Sequence, residues 1–347
     1  MKKVAIVGAM GFGGAGLIDL LYSHPEFKIN SLIDRRDIGL PINKVFPHLT
    51  NYCNMPIQSI EEFDFDCDLA FFSTPDQAGM TMIDEFVKRK VRVIDFSGDF
   101  RFNNINDYAI YAANKGMDTV HHAADKLTSS VYGLPEKYAN EIKNAGIVGN
   151  PGCFAICMIL GLLPAIEAKI IDSDTIVCDG KSGVSGAGKN SGEANLYPQR
   201  HENINTYREG KHQHLVEVEN IARLCGAENK KIFFIPQVIP MSRGILNNMY
   251  FSVREGYTTK KVHELYTEYY KNKPFVRITE SSPNTSNVVG SNFCEIRVLV
   301  DERTGKMLIT SVIDNLLKGQ SGNAVQNANI MMGYDETLGL QRIPFFP

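Results

Sequence analysis

Short apolar runs and helix-like spacings of leucine alternate along the first third of the chain. The β-branched run VAIVG (4–8) leads into glycines, and Leu17, Leu20 and Leu21 then recur at helical spacing until Pro25. This pattern predicts a strand, a glycine-rich turn and a helix. The alternation continues in three predicted strands and one predicted helix. The strands lie at 29–36, 67–74 and 91–98, and the helix at 79–90.

Strands that alternate with helices indicate a parallel, doubly wound sheet, but the pattern changes after Pro164. From there longer apolar runs with few helices between them predict a mostly antiparallel sheet. The expected fold class is therefore α/β, with an N-terminal doubly wound Rossmann-type domain followed by an α+β domain. The predicted strands of the second sheet lie within 175–186, 231–240, 244–255 and 292–301.

The last apolar pattern, DNLLKGQSGNAVQNANIMMG (314–333), predicts a helix near the end of the chain. Its spacing places one group of apolar side chains on a common face, which we expect to be buried. That face consists of Leu316, Leu317, Ala324, Ala328 and Met331.

The composition is that of a globular protein with room for two domains, at 347 residues and 44% hydrophobic content. A net charge of −3 argues against nucleic acid or an anionic membrane as the partner, because those surfaces bind clustered Lys and Arg. The longest apolar run, 153–163, is shorter than the roughly 20 residues that span a bilayer. Seven cysteines without paired spacing, and no signal-peptide pattern, indicate a cytoplasmic protein.

The glycine turn after the first predicted strand is a candidate phosphate site. Gly8, Gly11 and Gly14 form a GxxGxxG pattern that opens the first helix, where backbone N–H groups can meet a pyrophosphate. A plain tight connection between strand and helix is the alternative. The candidate cofactor contacts in this turn are Gly8, Gly11, Phe12, Gly13 and Gly14.

Cofactor choice is expected to depend on the end of the second predicted strand. Arg35 and Arg36 suit the 2′-phosphate of NADP, whereas Asp34 suits the free ribose hydroxyl of NAD. The two adjacent arginines favour NADP, with NAD as the alternative. A solvated charge cluster is the structural interpretation of the same residues.

Cys153 lies in NPGCFAICMI (150–159), between a Pro-Gly pair and an apolar run. With Asn150 as the N-cap and Pro151 as the first helical residue, Cys153 falls in the first turn of a helix. There the helix dipole and unpaired N–H groups favour a thiolate. Cys153 is therefore a candidate nucleophile. The alternative is a buried, inert cysteine, an interpretation that fits Cys157.

His212 and His214 lie just ahead of a predicted amphipathic helix, in KHQHLVEVENIARL (211–224). A thiolate nucleophile needs a partner that moves protons, and imidazole does so near neutral pH. A surface or metal-binding pair is the alternative. No second Cys/His pair has zinc-ligand spacing, so no metal is expected. A cysteine, a histidine and a dinucleotide site together indicate hydride transfer at a carbonyl held on sulfur.

Motifs from end to end carry a resemblance to a known family, and NPGCF paired with the HxH segment is the most specific of them. The motifs are GAMGFGGAGLIDLL (8–21), FPHL (46–49), VIDFSGDFR (93–101), VYGLPE (131–136), GNPGCF (149–154), KSGVSGAGK (181–189), KHQHLVE (211–217), IPMSRGIL (239–246) and DNLLKGQSGNAVQN (314–327). The chain resembles the N-acetyl-γ-glutamyl-phosphate reductases of arginine biosynthesis, which are relatives of aspartate-semialdehyde dehydrogenase.

The resemblance implies that Cys153 attacks an acyl phosphate, that phosphate leaves, and that NADPH reduces the thioester to N-acetylglutamate 5-semialdehyde. His214 is the expected acid/base, with His212 beside it at the substrate; the reverse assignment stays open. Arg101 and Arg243 are candidate binders of phosphate or carboxylate, or else structural ion pairs. Further cofactor contacts are expected from Ser182, Gly183 and Asn315.

The expected domains follow from the pattern and the resemblance. A dinucleotide-binding domain covers 1–150 and is completed by the C-terminal helix of about 315–347, and a catalytic and oligomerisation domain covers 151–314. Apolar, β-branched strands such as IRVLV leave one face of the second sheet in need of cover, which predicts a homodimer or homotetramer.

Some positions depart from the family pattern: Asp76 stands for a usual His, Ile156 for Thr and Asp34 for Ser. The rival enzymes are reductases of a related acyl phosphate, either N-succinylglutamyl, aminoadipyl or aspartyl phosphate. A dinucleotide-binding redox sensor with Cys153 as the sensing thiol is the rival outside enzymes. A sensor needs no proton shuttle, so the HxH segment argues against it.

Overall fold

The computed structural model describes residues 1–189 and 192–345, which form two compact units. The first unit contains 1–110, 118–152 and 320–341. The second contains 111–117, 153–319 and the described residues from Arg342 onward. Residues 315–319, which the expected boundary placed with the first domain, belong to the second unit because Asp314 and Asn315 bond to its loops.

A seven-stranded parallel sheet forms the centre of the first unit, as the alternating pattern predicted. Its strands run in the order β3-β2-β1-β4-β5-β7-β6, and every neighbouring pair is parallel. The strands are β1 (Lys2–Val7), β2 (Phe27–Ile33), β3 (Ile57–Gln58), β4 (Leu69–Phe72), β5 (Arg92–Asp95), β6 (Val131–Tyr132) and β7 (Ile147–Gly149).

Helices connect these strands, and α1 buries the leucines that the sequence pattern placed on one face. Leu17, Leu20 and Leu21 are each at most 1% exposed. The helices of this part of the chain are α1 (Phe12–Leu21), α2 (Ile42–Val45), α3 (Gly79–Lys88), α4 (Ile105–Asn114), α5 (Ala124–Ser129) and α6 (Pro135–Asn144).

The second unit is built on a mixed sheet whose strand order is β12-β13-β14-β11-β8-β10-β9. Most neighbours are antiparallel, as expected, but β8 pairs with β10 and β12 with β13 in parallel. The strands are β8 (Thr175–Ser182), β9 (Asn205–Thr206), β10 (Lys231–Val238), β11 (Ile245–Ser252), β12 (Val276–Ile278), β13 (Cys294–Asp301) and β14 (Lys306–Ile313).

One face of this sheet carries α7, whose residues from Phe154 to Ile166 are all buried. An apolar helix enclosed on every side is a core helix, which explains the unbroken hydrophobic run in the sequence. The helices of this part are α7 (Cys153–Glu167), α8 (Tyr197–Arg200), α9 (His214–Leu224) and α10 (Thr259–Tyr270).

The region predicted as one helix, 314–333, is divided. A π-helical turn covers Leu317–Ser321, and α11 covers Gly322–Met332. The Asp314 carbonyl oxygen accepts the Gly319 N–H (2.9 Å), which is the five-residue spacing of a π-helix, and the Asp314 carboxylate accepts the N–H groups of Leu316 and Leu317. The predicted buried face is confirmed except at Leu316, which is half-buried.

Candidate active site

Three of the predicted turn glycines lie against the protein's own chain. Gly8 has a φ of +85°, and a Cβ there would lie 2.3 Å from the Ser73 carbonyl oxygen. A Cβ on Gly13 would lie 2.4 Å from Ser73 Oγ, and one on Gly14 would lie 2.5 Å from the Ala9 carbonyl oxygen. These glycines therefore allow β1, α1 and the end of β4 to approach closely.

Gly11 and the start of α1 fit a pyrophosphate. Apart from its chain neighbours, the one atom of the described residues within 4 Å of a Cβ built on Gly11 would be the Gly8 carbonyl oxygen, at 3.7 Å. Gly11 is the N-cap of α1 and supplies no side-chain cap, and the first turn of α1 holds no acidic residue. The N–H groups of Phe12, Gly13 and Gly14 have no acceptor within the helix. An anion can take that place.

Asp34 fastens the glycine turn to the end of β2. Its Oδ2 accepts a hydrogen bond from the Met10 N–H (3.1 Å) and its Oδ1 accepts one from the Arg35 N–H (2.8 Å). The side chains of Arg35 and Arg36 are exposed at the same strand end. The carboxylate thus has a structural task, while the two guanidinium groups face solvent where a phosphate can reach them.

Cys153 is the first residue of α7 and is half-buried. The predicted start at Pro151 and the predicted N-cap at Asn150 are wrong. Asn150 Oδ1 instead accepts hydrogen bonds from Nδ2 of Asn323 (2.8 Å) and Asn327 (3.2 Å), so its side chain is held away from the helix start. Cys153 still lies where the helix dipole and the first-turn N–H groups stabilise a thiolate.

Cys157 lies one turn further along α7 and is fully buried. Its thiol donates a hydrogen bond to the Ser311 carbonyl oxygen (3.3 Å). Burial raises the pKa of Cys157, and it raises the pKa of Cys67 to about 12. Both therefore stay protonated at neutral pH, which makes them poor nucleophiles.

His212 and His214 lie side by side, with ring centroids 4.7 Å apart. His212 Nδ1 accepts a hydrogen bond from the His214 backbone N–H (3.2 Å), so the neutral ring carries its proton on Nε2. Rings of Phe154, Tyr207 and Phe234 surround His212 at centroid distances of 5.7, 5.6 and 5.4 Å. Phe154 follows Cys153 directly, so α7 brings the cysteine and this cage together.

Burial, with smaller contributions from the charges of Arg208 and Lys115, lowers the pKa of His212 to about 3. His212 is therefore a neutral hydrogen-bond donor throughout the physiological range. Of the pair, His214 therefore remains the candidate for moving the Cys153 proton.

Two residues that the sequence reasoning did not assign complete this part of the second unit. Glu217 is fully buried one helical turn after His214, with its Oε1 4.0 Å from His214 Nε2. Burial, with the charge of a nearby Cys153 thiolate as the second cause, raises the pKa of Tyr207. The sequence KHQHLVE shows a glutamate three positions after His214, although the burial of Glu217 is visible only in the structure, and nothing local singled out Tyr207.

The two candidate arginines both bond to the protein. Arg101 Nε donates to the Asn150 carbonyl oxygen (2.8 Å) and another guanidinium nitrogen donates to the Phe96 carbonyl oxygen, within the first unit. Arg243, in the second unit, pairs with the buried Asp314 carboxylate, at 3.2 Å between Nη2 and Oδ2. Arg243 thus has an ion-pair partner within the protein and Arg101 has backbone carbonyl partners, and any substrate contact would be an additional one.

Ser182, Gly183 and Asn315 form a connected group at the end of β8. Ser182 Oγ donates to the Gly183 carbonyl oxygen (3.1 Å). Asn315 Oδ1 accepts from the Gly244 N–H (2.7 Å), and its Nδ2 donates to Ser185 Oγ (2.9 Å). Asn315 therefore ties two loops of the second unit together.

Residues 1–189 and 192–345 contain neither a metal-binding cluster nor a membrane-spanning helix. No group of three or more His, Cys, Asp or Glu side chains there is arranged to hold a metal ion. No helix in the same ranges is long and apolar enough to cross a bilayer.

Two family models match the chain. The model described as semialdehyde dehydrogenase, NAD binding domain, matches residues 3–145, and the one described as semialdehyde dehydrogenase, dimerisation domain, matches residues 153–315. The class of protein is thus an NAD(P)-dependent semialdehyde dehydrogenase, an enzyme that reduces an acyl phosphate.

Comparison with individual proteins narrows the class. An N-acetyl-gamma-glutamyl-phosphate reductase from Geobacter metallireducens is 40% identical over 352 residues and covers 100% of both chains. The chain therefore belongs to the N-acetyl-gamma-glutamyl-phosphate reductase family.

Solved structures support the fold. Aspartate semialdehyde dehydrogenase II from Vibrio cholerae has a TM-score of 0.73 at 19% identity and covers 96% of this chain and 99% of its own. The aspartate semialdehyde dehydrogenase with NADP from Candida albicans has a TM-score of 0.67 at 17% identity, with coverages of 96% and 98%. At these identities the likeness establishes the shared fold.

Proposed function

We propose that the protein reduces N-acetyl-γ-glutamyl phosphate to N-acetylglutamate 5-semialdehyde with NADPH, a step of arginine biosynthesis in the cytoplasm. The observation that carries the chemistry is the position of Cys153 at the start of α7. Its neighbour in the chain is Phe154, whose ring packs on His212 and His214. The whole-length similarity to a reductase of that name supports the substrate. The odd number of cysteines, seven, supports a reducing compartment.

The covalent chemistry begins at the cysteine. His214 accepts the proton of the Cys153 thiol, and the thiolate sulfur forms a bond to the acyl carbon. The bond from that carbon to the phosphate oxygen breaks, and the leaving phosphate takes the proton from His214. An acyl thioester then remains on Cys153, and inorganic phosphate is free to leave.

Reduction follows on the same sulfur. NADPH, when bound, supplies a hydride to the thioester carbon. The resulting thiohemiacetal oxyanion is stabilised by N–H donors such as those of the first turn of α7 and by His212 Nε2–H. Its collapse breaks the carbon–sulfur bond, releases the aldehyde and restores the Cys153 thiolate, which takes up one proton from solvent through His214.

We assign the parts of the cofactor to separate groups. The first-turn N–H groups of α1 would hold the pyrophosphate, and Arg35 and Arg36 would contact the 2′-phosphate of NADPH. We place Ser182, Gly183 and Asn315 on the nicotinamide side. Arg101 and Arg243 are proposed to contact phosphate or carboxylate oxygens of the substrate in addition to their internal bonds.

The reaction is tested most directly in reverse. Purified protein with N-acetylglutamate 5-semialdehyde, phosphate and NADP should form NADPH, observed by absorbance, and NAD should support a slower rate. N-succinylglutamate semialdehyde and aspartate semialdehyde serve as matched substrates. A faster rate with either of them, at equal concentration, would replace the N-acetyl assignment with that rival substrate. No turnover with any of the three would contradict the enzyme assignment.

We further propose a homodimer or homotetramer that pairs copies through the outer face of the second sheet. Phe233, Val177, Tyr250, Leu308 and Leu299 are paired in register across five adjacent strands, so they form one apolar row on that face. Phe233 is 47% exposed and Tyr250 is 38% exposed. An apolar row of this length is the kind of surface that another subunit covers. The match to a dimerisation domain over 153–315 supports the same partner.

Replacing Phe233 with aspartate is expected to shift the protein toward the monomer, because the change places a charge within the apolar row. Light scattering at micromolar concentration measures the mass. Tyr22→Asp is the control, since Tyr22 is a 54% exposed aromatic residue in the first unit. A monomeric wild type, or a Phe233→Asp variant of unchanged mass, would contradict this interface.

A further inference from the structure

The segment after β14 is fixed to the second unit by several independent contacts. The buried Asp314 carboxylate accepts from the N–H of Leu316 (2.8 Å) and of Gly290 (2.8 Å), and it pairs with Arg243. The side chain of Lys318 is fully buried, with its Nζ 5.9 Å from the Phe275 ring centroid. These contacts hold the turn in place, so it cannot readily move away from an added side-chain atom.

Gly319 presents its bare Cα to Cys153. A Cβ on Gly319 would lie 2.8 Å from Cys153 Cβ and 3.3 Å from Cys153 Cα, well inside the usual separation of about 3.5–4.0 Å between carbon atoms. It would also lie 3.3 Å from the Asp314 carbonyl oxygen, which accepts the Gly319 N–H (2.9 Å). The added methyl group would thus contact Cα and Cβ of Cys153 and not the flexible end of a side chain.

The backbone at Gly319 does not itself demand glycine. Gly319 is absent from the left-handed glycines of the described chain, so an alanine can adopt the same φ. The requirement comes from space alone. Because the turn is fixed by Asp314 and Lys318, an added methyl group must be accommodated by a shift of Cys153 and the start of α7.

We propose that Gly319 is a positioning residue for the nucleophile: its bare Cα in the π-helical turn is the surface that sets where Cys153 Cβ lies. π-helical turns occur often at functional sites, and here the turn places residue 319 directly against the cysteine. The inference rests on the proposed role of Cys153 as the nucleophile. It assigns Gly319 no contact with substrate or cofactor.

Gly319→Ala tests the proposal through activity. Displacing a nucleophile by about 1 Å costs about 100-fold in rate. We therefore expect kcat to fall about 100-fold with KM changed less than about threefold, because substrate contacts remain while the attack geometry is lost. The matched control is Gly146→Ala, since a Cβ at Gly146 meets no atom within 4 Å and its φ is not left-handed. The control should keep the wild-type kcat.

Alkylation provides a readout that does not depend on turnover. Iodoacetamide should label Cys153 more slowly in Gly319→Ala than in wild type over pH 6 to 9, whereas Gly146→Ala should label at the wild-type rate. A wild-type alkylation rate or a wild-type kcat in Gly319→Ala overturns the proposal. If wild type itself does not reduce an acyl phosphate, the proposed function fails, and the alkylation rates still decide whether Gly319 positions the thiol.

A double variant covers the case in which Gly319→Ala folds poorly. Cys153→Gly removes the Cβ that the new methyl group would meet, so Gly319→Ala should lower the Tm much less in the Cys153→Gly background than in wild type. An equal loss of Tm in both backgrounds would show that the methyl group is not pressing on Cys153, and would overturn the proposal.

Discussion

Cys153→Ser is expected to abolish turnover while NADPH binding remains close to wild type. The covalent route needs a thiolate that attacks the acyl carbon and later leaves it, and a serine hydroxyl is a far weaker nucleophile at neutral pH. The loss of a nucleophile costs several orders of magnitude in kcat. Steady-state rates measure the loss, and fluorescence titration of NADPH measures binding. Turnover should be lost while NADPH binding is kept, because Cys153 is not part of the proposed pyrophosphate site, which is the turn before α1.

The control for this change is Cys157→Ser. Cys157 lies on the same helix, but it is fully buried and its thiol bonds to the Ser311 carbonyl oxygen. Its replacement by serine should lower the Tm clearly and change kcat little, because it places a more polar group among apolar neighbours. A Cys153→Ser enzyme that keeps more than about one hundredth of the wild-type kcat would contradict the thioester route, given the magnitude expected for a nucleophile.

His214→Asn is expected to lower kcat by about 10²–10⁴-fold, the usual contribution of general acid–base catalysis. The neutral imidazole must accept the thiol proton, so the wild-type rate should fall as the pH decreases and His214 becomes protonated. That acidic limb should disappear in the variant. Protonation of His212 cannot cause this decrease, because burial lowers the pKa of His212 to about 3. The measurement is kcat against pH from 5 to 9.

Two further variants make this result specific. Glu217→Gln removes the negative charge 4.0 Å from His214 Nε2, so the acidic limb should move to lower pH with a smaller loss of kcat. His201→Asn, an exposed histidine of the same unit, should leave the whole profile unchanged. If the limb persists in His214→Asn, another group accepts the proton and the assignment of His214 is wrong.

Local patterns were sufficient for the architecture. Leu17, Leu20 and Leu21 at helical spacing predicted the buried face of α1, and the alternation of strands and helices predicted the parallel sheet. Such patterns succeed because burial of one face is a property of neighbouring residues, with periods near two and 3.6. The two parallel pairs in the second sheet, β8 with β10 and β12 with β13, were not predicted, because pairing partners lie far apart in sequence.

The candidate site shows the same limit. The sequence indicated Cys153 by its position after a Pro-Gly pair, and it indicated the histidines by their HxH spacing. It also suggested Asn150 as the helix cap, an assignment that failed because Asn323 and Asn327, about 175 positions away, take its side-chain oxygen. A hydrogen-bonding group is claimed by whichever partner the fold brings near, and local sequence names only the adjacent candidates.

The sequence by itself determined the two-domain α/β class, the glycine turn and the candidate residues of a cysteine enzyme, because each depends on short-range spacing and on side-chain chemistry. Only the tertiary structure decided which task each residue has. In the folded chain Asp34 accepts a hydrogen bond from the glycine turn, and His212 is a neutral donor among aromatic rings. Gly319 lies against Cys153. These outcomes depend on burial and on contacts between distant segments, and such contacts exist only once the chain has folded.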